Sequence, residues 1–159
     1  TSKSEGVWAM SMFPHTVTIY NIVQEIDPTT LDEVEKVYTT ILRGVMLQAS
    51  KGVNVRESGL EGADAVNLYI PFAVEAVGGK TGAAKAYAKP QEFAKAADRS
   101  GLWTLSYNGN GGETVFVKGE FISDNMTVVQ YHDDCYKVTK VDAMDYGSAD
   151  MRHWEVGGK

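Results

Sequence analysis

The sequence predicts a mainly β domain that closes, or nearly closes, into a small barrel of about six to seven strands, with long loops and one or two short helices. Short segments that alternate apolar and polar residues recur along the chain, and clusters of Gly, Pro, Asn and Asp separate them at frequent intervals. The chain also ends on a strand-like stretch, with Arg152, Trp154 and Val156 alternating with His153 and Glu155 before a Gly pair. A length of 159 residues, with 43% apolar and 23% charged residues, suits one globular domain over residues 12–159. Residues 1–11 do not continue the pattern and read as a leader, a tag remnant or a peripheral arm.

Taken in order, residues 16–26 set Val17, Ile19 and Val23 against Thr16, Thr18 and Tyr20, the period of a half-buried strand. Asp27, Pro28, Thr29 and Thr30 supply turn chemistry, and Val37, Ile41, Val45 and Leu47 then resume at even spacing, which predicts a long hairpin. The competing reading is a short helix through Leu31, Val34, Val37 and Tyr38, opened by Asp27 and Pro28. Residues 48–64 carry three glycines and little apolar content, a loop longer than the usual connection of about 4–6 residues. Residues 65–74 alternate Val66, Leu68, Ile70, Phe72 and Val74 against Asn67 and Tyr69. Pro71 lacks a ladder donor, which places it at an edge or a bulge.

Residues 77–88 are rich in Gly, Ala and Lys and read as part of a flexible insert around residues 75–100, in which Pro90 opens a short helix. Residues 101–107 and 113–121 read as two strands of a hairpin, because the Asn-Gly run between them tolerates positive φ. Asp124 or Asn125 can cap a helical turn from Met126 onward, although Thr127, Val128 and Val129 are weak helix formers. Residues 136–141 then form a strand, and residues 152–156 complete the barrel with Trp154 buried.

A formal charge of −6 argues against a protein that grips nucleic acid through a basic face, yet is compatible with a wall that DNA slides past. A single cysteine, Cys135, excludes an internal disulfide and suits synthesis in a cytoplasm. The longest apolar-rich stretch, residues 66–77, is too short for a membrane span of about 20 residues, and no secretory signal pattern opens the chain.

The search for chemistry yields no assembled active site. Gly79, Lys80 and Thr81 resemble the end of a phosphate loop, but Val74 stands where its first Gly is required. His15, His132 and His153 have no partner at metal-ligand spacing. Asp133, Asp134 and Cys135 read as a turn followed by a small apolar group, and Asp142, Asp145 and Asp150 do not match a calcium loop. No catalytic residue, metal or cofactor is expected. Lys51, Arg56, Arg99 and Arg152 are the basic residues to inspect for partner contacts, while Trp103 and Trp154 read as core.

Three stretches carry a family resemblance: Phe13-Pro-His-Thr-Val-Thr-Ile-Tyr-Asn21, Ser50-Lys-Gly-Val-Asn-Val-Arg56 and Gly147-Ser-Ala-Asp-Met-Arg-His-Trp-Glu-Val-Gly-Gly-Lys159. Together they resemble the head-completion (head-closure, or stopper) proteins of long-tailed bacteriophages. The resemblance runs from about Met12 to Lys159 and does not extend to residues 77–88 or 1–11. It implies a β-barrel subunit in a homo-oligomeric ring, a dodecamer, beneath the portal and its adaptor. Such a ring would be part of the virion, assembled in the host cytoplasm, retaining packaged DNA and docking a tail-terminator or tail-completion protein. The expected ring interface comprises Lys51, Asn54, Arg56, Glu57 and Arg152. A tail-terminator ring is the neighbouring alternative; a monomeric barrel with a ligand in its mouth is the alternative of a different class.

Overall fold

The computed structural model describes residues 13–49, 65–107 and 112–159. In chain order the strands are β1 (His15–Ile26), β2 (Glu33–Ala49), β3 (Val66–Pro71), β4 (Glu75–Gly78), β5 (Ala86–Tyr87), β6 (Leu102–Trp103), β7 (Glu113–Lys118), β8 (Cys135–Met144) and β9 (His153–Gly158). The helices are α1 (Pro90–Lys95) and α2 (Met126–Gln130), with a 3-10 turn at Ala149–Met151. Six strands close a barrel in the order β1-β7-β8-β9-β3-β2 and back to β1, and β4 lies outside on β2.

The predicted hairpin is the longest ladder, registered from His15 opposite Val45 to Ile26 opposite Glu33. No helix interrupts it, because residues 34–38 face β1 rather than following a helical stripe. Gly44, at φ 88°, sits where the register shifts between His15 and Thr16, and this bulge bends β2 into the barrel. From Val17 to Val23 every residue of β1 is buried. Val17 and Ile19 point into the barrel, while Tyr20 and Ile22 point outward beneath Met126 and Val129 of α2. The outer layer is fastened by Thr18, whose hydroxyl donates to the Gly119 carbonyl at 2.7 Å and accepts from the Phe121 amide at 3.0 Å. The Tyr20 hydroxyl donates to the Phe121 carbonyl. Asn125 caps α2 by accepting from the amides of Thr127 and Val128, as its position before a weak helix former requires.

Several expected boundaries move. β2 runs on to Ala49 and pairs with β3 from Met46 opposite Tyr69 to Ala49 opposite Val66, so Gln48 and Ala49 are strand rather than part of the expected loop. Residues 50–64 and 1–12 lie outside the described residues. β3 stops at Pro71 and turns back, the Val74 amide donating to the Pro71 carbonyl at 3.0 Å. Pro71 is thus at a strand end rather than at a sheet edge, since β3 is paired on both sides. The stretch expected to be a flexible insert is folded onto the barrel: β4 pairs with β2 from Arg43 opposite Glu75 to Thr40 opposite Gly78, and Val77 bridges Ala84.

The hairpin expected between residues 101–107 and 113–121 is not formed. Only Leu102–Trp103 is strand, and it pairs in parallel with β5, whereas β7 lies between β1 and β8. Residues 104–106 are held by side chains instead of a ladder. Asn21 donates through Nδ2 to the Thr104 carbonyl at 2.8 Å and accepts the Thr104 amide at 3.2 Å, while the Thr114 hydroxyl accepts the Ser106 amide at 2.8 Å. Buried polar side chains here replace the backbone partners that a strand would have supplied.

The final strand completes the barrel as expected, although it is His153–Gly158 and leaves Arg152 just outside. Trp154 is 7% exposed and joins Phe72, Tyr87 and Trp103, with ring centroids 4.4, 4.4 and 5.5 Å away. Gly158 is required by close approach: a Cβ there would come within 2.9 Å of the Phe116 ring and 3.1 Å of Val66. Because three elements meet on one indole, Trp154→Ala is expected to cost about 3–5 kcal/mol of stability. Denaturant titration measures this directly, and an unchanged midpoint would contradict the packing role.

Candidate interaction surfaces

The barrel lumen is a packed core. Val17, Ile19, Leu42, Val45, Leu68, Ile70, Phe116, Val138, Trp154 and Val156 meet inside it, and Trp103 and Leu105 from the former insert join the same cluster. Phe72 and Tyr87 pack against this cluster beside Trp103 and Trp154. A groove of ≈ 350 Å³ on the outside is lined by Ile22, Gln24, Glu35, Tyr107, Gly112, Glu113 and Lys137.

The two expected core tryptophans are therefore brought together. Arg99, examined as a partner contact, is internal to the fold: it pairs with Glu25 at 2.7 Å and donates to the carbonyls of Phe93 and Ala94 at the end of α1. It ties α1 to the β1–β2 hairpin. Arg152 lies in the β8–β9 connection, 3.5 Å from Asp145, with nearly half of its side chain exposed. Lys51, Asn54, Arg56 and Glu57 lie outside the described residues.

Reactive groups are placed for packing. Cys135 opens β8 and packs against the cluster under α2, and burial raises its thiol pKa, which opposes nucleophilic use. His15 accepts the Leu47 amide at 2.9 Å. Among the described residues, no group of three or more His, Cys, Asp or Glu is arranged to hold a metal. Gly79, Lys80 and Thr81 form a tight turn closed by the Gly82 amide on the Gly78 carbonyl at 2.9 Å, with Lys80 paired to Asp124 at 2.6 Å.

Lys85 is the unexpected group. Its stem is buried beside Gly78, and its ammonium donates to the Thr39 carbonyl at 3.1 Å, with no acidic partner among the described residues. Desolvation lowers its pKa from 10.5 to about 8. Nothing in the Ala-rich stretch around it marks this lysine apart from its neighbours.

The surface exposes large apolar side chains at separate places: Ile26 and Leu31 at the hairpin tip, Val128 and Tyr131 around α2, and Tyr146 and Met151 between β8 and β9. The sequence reading missed the tip. Its available signal was Leu31, an apolar residue set between Thr30 and Asp32 inside a turn.

A family model described as a family of unknown function, DUF6751, matches residues 12–159, and the chain belongs to that family. No curated protein and no solved structure matches the chain.

Lys85 predicts a pH dependence. Between pH 8 and 10.5 the unfolded chain holds more protons on this lysine than the folded chain, so stability rises with pH there. Above pH 10 the slope is opposed by Tyr20 and Tyr38, whose pKa values burial raises, that of Tyr38 to about 12. Urea titrations from pH 7 to 10 are expected to show the rise in the parent and its loss in Lys85→Met. An identical slope in both would mean that the ammonium is solvated.

Proposed function

We propose that this member of the DUF6751 family is a structural subunit of the bacteriophage head–tail junction, forming a ring that closes the DNA-filled head and docks the tail. The observation that carries the reading is a barrel whose lumen is filled while its apolar side chains project at several separate places on the outside. A ligand-binding barrel keeps its apolar surface in a concave site. A ring subunit, which must meet a neighbour on each side and other rings above and below, distributes contact residues around its surface.

The resemblance of residues 13–21, 50–56 and 147–159 to head-completion proteins supports the same reading. So does the acidic balance of 21 Asp and Glu against 15 Lys and Arg. A wall that DNA must pass at ejection cannot hold phosphates through many released counterions, so DNA retention in this scheme is mechanical.

Deleting the gene and imaging the particles tests the role. Tailless heads that have lost their DNA are the expected result. Full heads beside overlong tails would assign the chain to tail termination, and normal infectious particles would defeat both assignments. The purified chain is also expected to bind duplex DNA weakly, with little dependence on salt. Tight binding that falls steeply as salt rises would show an electrostatic grip.

A further inference from the structure

We propose that Lys85 is an acylation site: its side-chain amine takes an acetyl-sized group from an activated acyl donor, an acyl phosphate or a thioester, and the fold holds the resulting amide where the ammonium now sits. The site stands whether or not the chain forms a ring.

Backbone bonds fix the place of this lysine. After β4 the chain turns and comes back along the same strand, the Gly78 amide donating to the Ala83 carbonyl at 2.7 Å and the Lys85 amide to the Ala76 carbonyl at 2.9 Å, with Val77 opposite Ala84. The Lys85 side chain then passes Gly78 toward β2. Its Cε lies 3.5 Å from the point that a Cβ at Gly78 would occupy, and the Thr81 hydroxyl lies 2.7 Å from the same point. Any larger residue at position 78 would collide there, so the glycine makes the seat. The ammonium ends on the Thr39 carbonyl at 3.1 Å, an oxygen that also accepts the Gly79 amide at 2.9 Å.

An ammonium is a poor occupant of this seat. It brings a charge and three donors, and the seat meets them with one shared carbonyl. Charged side chains on the surrounding elements are engaged with one another: Arg43 of β2 holds Glu75 of β4 and Glu120, and Lys80 holds Asp124. On the residue that accepts the ammonium, the Thr39 hydroxyl is buried with no hydrogen-bond partner among the described residues. Carbonyl and hydroxyl groups without a carboxylate suit a neutral amide better than a cation. An acylated lysine keeps one N–H for the Thr39 carbonyl and adds a carbonyl oxygen. The Thr81 hydroxyl, whose oxygen accepts the Ala83 amide at 3.2 Å, has a proton left to donate to it.

The same surroundings activate the amine. Desolvation brings Lys85 to about 8, so about half of it is neutral at pH 8, against about 0.3% of a lysine that titrates at 10.5. The side chain is half-buried and not sealed. The neutral nitrogen attacks the acyl carbon of the donor. An N–C bond forms, the bond from that carbon to the phosphate oxygen or thioester sulfur breaks with its electron pair leaving on the oxygen or sulfur, and the nitrogen releases its extra proton to water. The products are the amide and free phosphate or thiol.

The test incubates the purified native chain at pH 8 with acetyl phosphate in one arm and acetyl-coenzyme A in the other, and peptide mass spectrometry follows each lysine. Lys85 is expected to react at least about tenfold faster than the exposed Lys89 and Lys95, because the weaker nucleophilicity of a weaker base returns only part of the gain in neutral amine. In denaturing urea the preference is expected to vanish. A Lys85 rate equal to or below those of Lys89 and Lys95 with both donors overturns the site, and a preference that survives in urea overturns the part assigned to the fold. A preference with one donor alone supports the site and identifies its donor. The chain singly acetylated at Lys85 is expected to unfold at a higher urea concentration at pH 7 than the untreated chain. An unchanged or lower midpoint overturns the fit of the amide to the seat.

Discussion

The structure depends on the closure of the barrel by its last strand. β9 enters between β8 and β3, and without it the other five barrel strands form an open sheet with two unpaired edges. The closing strand also carries Trp154, which touches Phe72 after β3, Tyr87 of β5 and Trp103 of β6. One side chain thus couples sheet closure to the docking of the long β4–β6 segment against the barrel. Four residues later the packing switches to its opposite limit, where Gly158 admits the Phe116 ring against the backbone.

Around that closure, irregular backbone is held by a few buried polar groups. Asn21 and Thr114 secure residues 104–106, and Thr18 and Tyr20 secure residues 119–121. These groups point to opposite faces of β1, which accounts for a strand buried on both sides. These bonds fix the segments crossing the barrel in place without a ladder of their own. Lys85 differs, a cation desolvated beside a carbonyl with no carboxylate to neutralise it among the described residues.

A frame of this kind suits a protein that works through its exterior. The interior offers no lumen, and the projecting elements are braced at their bases by specific contacts such as Arg99 with Glu25. Acidic charge at the hairpin tip, from Asp27, Asp32, Glu33 and Glu35, disfavours contact with phosphates.

The sequence by itself determined the class of fold and the elements whose signals are local. Period-two alternation marked β1, β2, β3 and the final strand, Asp27 and Pro28 marked the hairpin turn, and Asn125 marked the start of α2. Trp103 and Trp154 were legible as core because an indole at an alternating strand position has few alternatives to burial. Tertiary structure decided what depends on partners distant in the chain. Residues 101–107 looked like half of a hairpin with residues 113–121, but Leu102–Trp103 pair with β5, and backbone groups of Thr104 and Ser106 are satisfied by the side chains of Asn21 and Thr114. Residues 77–88 looked mobile because Gly, Ala and Lys carry little local signal, yet β2 supplies β4 with a ladder and the lumen supplies Tyr87 with a place among aromatic rings. Arg99 read as a surface charge because its carboxylate partner lies on β1. Exposure of Ile26 and Leu31 was likewise hidden: it follows from where β7 and β4 stop, a fact written in the pairing of strands and not in either residue.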